Sequence, residues 1–295
     1  MGMSWVVLFY PELTLKPASS ASRGIFVKNY IDQSQEFALC AVALIYPIIR
    51  FLRSKKIWQA ALLGAIVLSF VVNMVFVNVS RTAMVTIPVM LAVFVLLHLR
   101  RRTSLVIFCG LIVIAGLAWT VSPQLQRKTE AFVSEYKDYK ATNATTSIGF
   151  RLEFWRKSLR FFVEAPLIGH GTGSTRGLFE QAAVGDDMVA SGVVINNSHN
   201  QTLNVAVQWG VIGIVVLYAM WFFHQQLFRG EGLVAWIGLL VVVQNIFTSL
   251  FNSHIFDFHE GWMYVLGVGI AGGMSRRSGQ SREQKSLEQM GAPNR

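Results

Sequence analysis

His199, Arg81 and Arg151 are the residues whose type and position point to chemistry. His199 lies in Ser198-His199-Asn200, where a long polar stretch ends and an apolar run begins. A neutral imidazole at such a boundary is able to accept a proton from a hydroxyl near neutral pH; the plainer reading is an interfacial histidine with no task. Ser198 or Asn200 is positioned to cap the helix that follows. Arg81 is the only Lys, Arg, Asp or Glu between Lys56 and Arg100, and it suits either a snorkelling anchor or an anion site at a membrane surface. Arg23, in Ser22-Arg23-Gly24, is able to join such an anion site.

Arg151 belongs to a segment, Gly149 to Glu164, whose pattern predicts a helix stopped by Pro166 and the glycines beyond it. At about 100° per residue, Glu153, Arg156, Lys157, Arg160 and Glu164 form one polar stripe, expected to face solvent. Arg151 lies opposite, in line with Trp155, Ser158 and Phe162. A guanidinium in an aromatic stripe needs a partner, because an unpaired buried charge is costly. Two readings stay open: a donor fork aimed at a phosphate or carboxylate, or a first-turn arginine that bends to water or pairs with a neighbouring Glu.

The elements that must position these groups are membrane helices. Mean hydropathy is +0.46 with 14% charged residues, far below the quarter or so of charged residues usual in soluble domains. Seven runs approach the roughly 20 apolar residues that cross a bilayer: Phe37 to Phe51, Ile57 to Val79, Met84 to Leu99, Ser104 to Val121, Thr202 to Phe223, Leu233 to Phe251 and Trp262 to Met274. The expected fold is all-α and polytopic, with an N-terminal outer segment (1–36), four helices (37–121), a helical outer loop domain (122–200), three helices (201–274) and a polar, unstructured cytoplasmic tail (275–295). Within the loop domain, Gln124 to Lys140 reads as a second helix and Ala141 to Ser147 as a linker.

Lys and Arg concentrate in every second connection: Arg50, Arg53, Lys55 and Lys56; Arg100 to Arg102; Arg229; Arg276 and Arg277. That alternation sets these connections inside and the polar insert outside. The net charge of +10 is then topology, and nucleic acid is not required as a partner. Trp5 to Tyr10 is too short for a signal peptide and reads as the end of an earlier span. Cys40 and Cys109 lie in apolar runs and are expected to be small packing residues.

Weaker groups complete the inventory. Pro166 to Ser174, containing His170 and Gly171, has the glycines of a phosphate cradle, but no Walker lysine, so a helix stop is the plainer role. His254, Asp257, His259 and Glu260 are metal-ligand types without an established zinc spacing. Asp186-Asp187 is a similar, weaker pair, and Asn143-Ala144-Thr145 fits a glycosylation sequon.

Ser80-Arg81-Thr82-Ala83, Gly149-Phe150-Arg151 with Trp155, Pro166 to Gly173, and His199-Asn200 followed by Gly210 and Gly213 together resemble the O-antigen ligase family, which also holds O-antigen polymerases and some protein O-oligosaccharyltransferases. Arg23-Gly24 through Asn29-Tyr30 looks like the family's outer-loop arginine segment. The resemblance implies a GT-C-like helical glycosyltransferase of the bacterial inner membrane whose active site faces the periplasm. It implies a glycan donor on undecaprenyl diphosphate, no metal and no other cofactor. It further implies that Arg81 and Arg151, with Arg23, bind the diphosphate, that His199 is the general base, and that Ser198, Asn200, Trp155 and Gly171 support them.

The leading expectation is transfer of the glycan to lipid A core oligosaccharide. A polymerase or protein-glycosylating enzyme with the same donor is the alternative, followed by a metal-dependent enzyme built on His254 to Glu260. A lipid-linked glycan transporter ranks last, because these spans carry almost no ionisable groups at mid-depth. Two departures stand out. Relatives have about a dozen spans, so further ones would precede Met1, and Gln208 stands where relatives often have Glu.

Overall fold

In the computed structural model the described residues are 2–13, 24–26, 29–76, 80–98, 109, 110, 113, 116, 120 and 123–291. They form helices joined by turns: α1 (Gly2–Phe9), α2 (Tyr30–Arg53), α3 (Ile57–Phe76), α4 (Arg81–His98), α5 (Pro123–Thr142), α6 (Ser147–Glu164), α7 (Thr175–Gln181), α8 (Gln201–Leu227), α9 (Leu233–Thr248) and α10 (Phe258–Gly291). The expected fourth span, the basic trio Arg100 to Arg102, and Arg23 fall outside them or nearly so.

Among the described residues, three helices are long and apolar enough to cross a membrane: α2, α3 as far as Met74, and α8. The apolar parts of α4 (Thr82–Leu97) and α9 are shorter, so the described residues support three of the seven expected spans at full length. The first begins earlier than hydropathy suggests, at Tyr30 rather than Phe37. Asn29 caps it, accepting from the Ile31 and Asp32 N–H groups at 2.8 and 3.0 Å, and its polar first turns are buried among partners instead of water. Gln33 donates to Ser4 Oγ and the Gly24 carbonyl, both at 3.1 Å. Ser34 donates to Ser80 Oγ at 2.9 Å. The Gln35 carbonyl accepts from Gln244 at 2.8 Å.

Other expectations need correction. The tail is not unstructured as far as Gly291, because α10 continues through it. Cys40 and Cys109 are exposed rather than packed. The expected Thr202 to Phe223 helix is broken at Gly210, whose φ of 61° and ψ of −153° depart from helical values.

The chain divides into two compact units. The first joins Met1–Leu91, Trp221–Thr248 and Ile255–Arg295; in it α2 packs on α3 and on α9, and α9 on α10. The second joins Ala92–Met220 and Ser249–His254. Its core is Phe154 and Phe161 from α6, Phe179 from α7 and Val207 from α8, with Phe179 meeting both other rings edge-on at 5.9 and 5.4 Å. Edge-to-face packing of this kind adds to simple area burial, and it fixes α6 against the first turns of α8.

Candidate active site

Asn200 starts α8. Its side-chain oxygen accepts from the Leu203 N–H at 3.0 Å and its amide donates to the Leu250 carbonyl at 3.1 Å, while the Gln201 N–H reaches the Ser249 carbonyl at 2.8 Å. The cap therefore does two jobs: it satisfies orphan donors of the first turn and stitches the 249–252 turn to the head of α8. His199, one residue earlier, holds φ at 49°. Non-glycine residues seldom occupy that region, and their strain is tolerated where surrounding bonds over-determine it. Here the His199 N–H donates to Asn197 Oδ1 at 2.8 Å.

The imidazole is held from two directions. Nδ1 is 2.9 Å from Asn252 Oδ1, and the ring stacks on Phe154 at 5.8 Å between centroids, inclined by 23°. An amide oxygen only accepts, so Nδ1 carries the hydrogen and Nε2 is the basic nitrogen. Sequence reading missed Asn252. Its sole signal is an amide directly after an apolar run, 53 residues from the histidine.

The α6 face that periodicity assigned inward does face this turn. Ser158 Oγ donates to Ser198 Oγ at 2.8 Å, both residues fully buried. Trp155 Nε1 donates to the His199 carbonyl at 3.4 Å. The Arg151 guanidinium lies over the Phe251 ring, 6.0 Å from its centroid, close enough for a cation–π contact. Arg151 and His199 thus grip adjacent residues of one turn, Phe251 and Asn252.

The opposite face of α6 corrects the polar-stripe expectation. Arg156, Arg160 and Glu164 are exposed, but Glu153 is 2% and Lys157 3% exposed. Both are buried because the neighbouring segments bring partners to them. Tyr139 of α5 donates to Glu153 at 3.0 Å, Arg156 pairs with the same carboxylate at 2.6 Å, and Lys157 donates to the Ser191 carbonyl while covering the Phe179 ring. Burial raises the Glu153 carboxyl, but the bonds from Arg156 and Tyr139 outweigh it and hold the group below the usual carboxylate range. Burial lowers the Lys157 ammonium.

The glycine-rich loop gives three of its N–H groups to α8, which favours the plainer structural role: His170 and Gly171 donate to the Val207 and Gln208 carbonyls at 2.9 Å, and Gly173 donates to Gln208 Oε1 at 2.8 Å. In return Val211 and Ile212 donate to the Pro166 and Leu167 carbonyls. The loop fills the break at Gly210, where backbone meets backbone. A Cβ on Gly210 would lie 2.4 Å from the Leu167 carbonyl, and one on Gly169 2.4 Å from the Gln208 carbonyl carbon. Gln208 suits this position as an amide, since Oε1 accepts from the loop while Nε2 donates to the Asn204 carbonyl at 3.2 Å.

Arg81 is the first residue of α4, which Ser80 caps by accepting from the Ala83 N–H at 3.0 Å; it belongs to the first unit. Also in that unit, Glu260 turns toward α2 and shares a cavity of about 20 Å³ with Asp32, Gln35, Glu36 and Gln244. Asp32 and Glu36 went unread because the first span was begun too late, although their spacing of four residues sets them on one helix face.

The family model for O-antigen ligase matches residues 67–218, a range that holds Arg81, Arg151, the glycine-rich loop and His199 but not Asn252. An uncharacterized protein of Haemophilus influenzae is 22% identical over 219 residues, which is 70% of this chain and 54% of that protein. The chain therefore spans about half the length of the relative it matches. With more than half of its residues matched by the family model, and with apolar helices of membrane-crossing length, this membrane protein belongs to the O-antigen ligase family.

Proposed function

We propose that the chain is a glycosyltransferase that moves a glycan from undecaprenyl diphosphate to lipid A core oligosaccharide at the periplasmic face of the inner membrane. One observation carries this reading: the oriented His199–Asn252 pair on the same turn that Arg151 covers. A sugar hydroxyl is a weak nucleophile, and a base in the imidazole range assists it. The acceptor hydroxyl gives its proton to His199 Nε2 as its oxygen bonds to the anomeric carbon. The bond from that carbon to the diphosphate oxygen breaks, with inversion, and undecaprenyl diphosphate leaves. Arg151, with Arg81 and Arg23, meets the developing charge, a task guanidinium forks perform without a metal.

The test is transfer by the purified full chain with lipid-linked glycan and core acceptor. His199→Ala is expected to lose about a hundredfold or more in rate, Arg81→Ala and Arg151→Ala to weaken donor use, and EDTA to change nothing. Full activity in the His199 variant removes the base from the mechanism. In cells, deletion is expected to leave core lipid A without long chains; a single attached repeat unit would assign polymerisation instead.

A further inference from the structure

Pro47 lies inside α2, where its ring removes one helical N–H and favours a bend. Six residues on, the helix ends in a turn that closes on itself: the Ser54, Lys55 and Lys56 N–H groups donate to the Arg50, Leu52 and Phe51 carbonyls at 3.1, 3.1 and 2.9 Å, with Lys55 in the left-handed region at φ 56°. These bonds satisfy carbonyls at the end of α2, the negative pole of its dipole. Immediately after Lys56, α3 begins at Ile57 and offers the positive pole of the next helix.

Beside this turn is a cavity of about 270 Å³, far more than the roughly 10–15 Å³ a single water requires. Besides Pro47 it is lined by Tyr46, Arg50, Phe51, Ser54, Lys56 and Leu233. Two cations and two hydroxyl-bearing side chains meet an aromatic ring and an aliphatic side chain, and no acid is among the lining residues. The charge asymmetry selects an anion, and the apolar members select one that carries hydrocarbon. Depth points the same way. Helices α2 and α3 are both of membrane-crossing length, so the turn between them emerges where lipid head groups lie. Basic pockets between membrane helices at that depth hold phosphate-bearing head groups.

We propose that this cavity binds the phosphate of an anionic membrane lipid, with Arg50 and Lys56 on the phosphate oxygens and Phe51 and Leu233 against the glycerol and first acyl carbons. The site is separate from the glycan chemistry and does not depend on it. Arg53 and Lys55 occupy the same turn but do not line the cavity, which supplies a matched control: either pair of changes removes two charges from one short segment.

The experiment is lipid retention by the purified full chain in native mass spectrometry, with dioleoyl-phosphatidylglycerol or dioleoyl-phosphatidylcholine added at equal concentration. Wild type is expected to retain one phosphatidylglycerol about tenfold or more over phosphatidylcholine. Arg50→Gln/Lys56→Gln is expected to abolish that preference, while Arg53→Gln/Lys55→Asn keeps it within about twofold; Asn suits the left-handed position. Inorganic phosphate, added at millimolar concentration, is expected not to displace the lipid. Equal losses in both pairs would reduce the effect to general surface charge and overturn the proposal. Displacement by inorganic phosphate would make the site one for free anions, and an absence of lipid preference in wild type would overturn it without recourse to any variant.

Discussion

His199 Nδ1 and Asn252 Oδ1 are 2.9 Å apart, across 53 residues of chain, and this contact selects the tautomer that leaves Nε2 as the basic nitrogen. In the proposed mechanism Asn252 acts as a positioning residue. Asn252→Ala is expected to lower turnover about 10- to 100-fold with little change in KM, as loss of a ring-orienting partner does elsewhere. Asn252→Asp is expected to set a carboxylate beside the ring and favour the imidazolium. A base must be neutral, so the acidic limb of the pH–rate profile should move to higher pH. Unchanged profiles in both variants would assign Asn252 a purely structural role.

Gly210 and Gly169 make the backbone contact that seats the glycine-rich loop in the α8 break. Each has positive φ and no room for a methyl group. Alanine at either is expected to cost about 3 kcal/mol or more, read as thermal unfolding of the purified chain. Gly171 also has positive φ, but nothing lies within 4 Å of its added Cβ. Gly171→Ala should cost only the conformational part, about 1–2 kcal/mol.

Ser158 and Ser198 share a hydrogen bond in full burial. Removing either hydroxyl leaves the other without that bond and is expected to cost about 1–3 kcal/mol. Removing both should cost less than the sum of the two single changes, and a double-mutant cycle of unfolding free energies measures the difference. Strict additivity would mean that the pair contributes nothing as a pair.

Glu153 is held below the usual carboxylate range by Arg156 and Tyr139 against the opposing effect of burial. A depressed folded value contributes stability that is present above the unfolded value, about 4.3, and is lost as pH falls through the folded one. Thermal unfolding followed from about pH 7 down to pH 3 should therefore fall more steeply for wild type than for Glu153→Gln in the acidic part of that range. Parallel curves would contradict the pairing.

Helix content was legible in the sequence because its causes are local. The extents of α5 and α6 follow from composition, from the Pro166 stop and from the 3.6-residue period that set Arg151, Trp155 and Ser158 on one face. The Asn200 cap was readable for the same reason. The start of α2 was not, since hydropathy counts Asp32, Gln33, Ser34 and Gln35 as surface while the fold buries all four, pairing the Asp32, Gln33 and Ser34 side chains and the Gln35 carbonyl.

By itself, then, the sequence determined a helical membrane chain with an arginine and a histidine at the margins of a polar insert. Tertiary structure alone decided that Asn252 orients His199, that Phe251 lies under Arg151, that Glu153 and Lys157 are buried, and that the glycine loop gives three of its N–H groups to α8. The division has a physical cause. Periodicity and capping act within a few residues, whereas a hydrogen bond between distant segments depends on which surfaces pack together, and packing depends on the shape of the whole core.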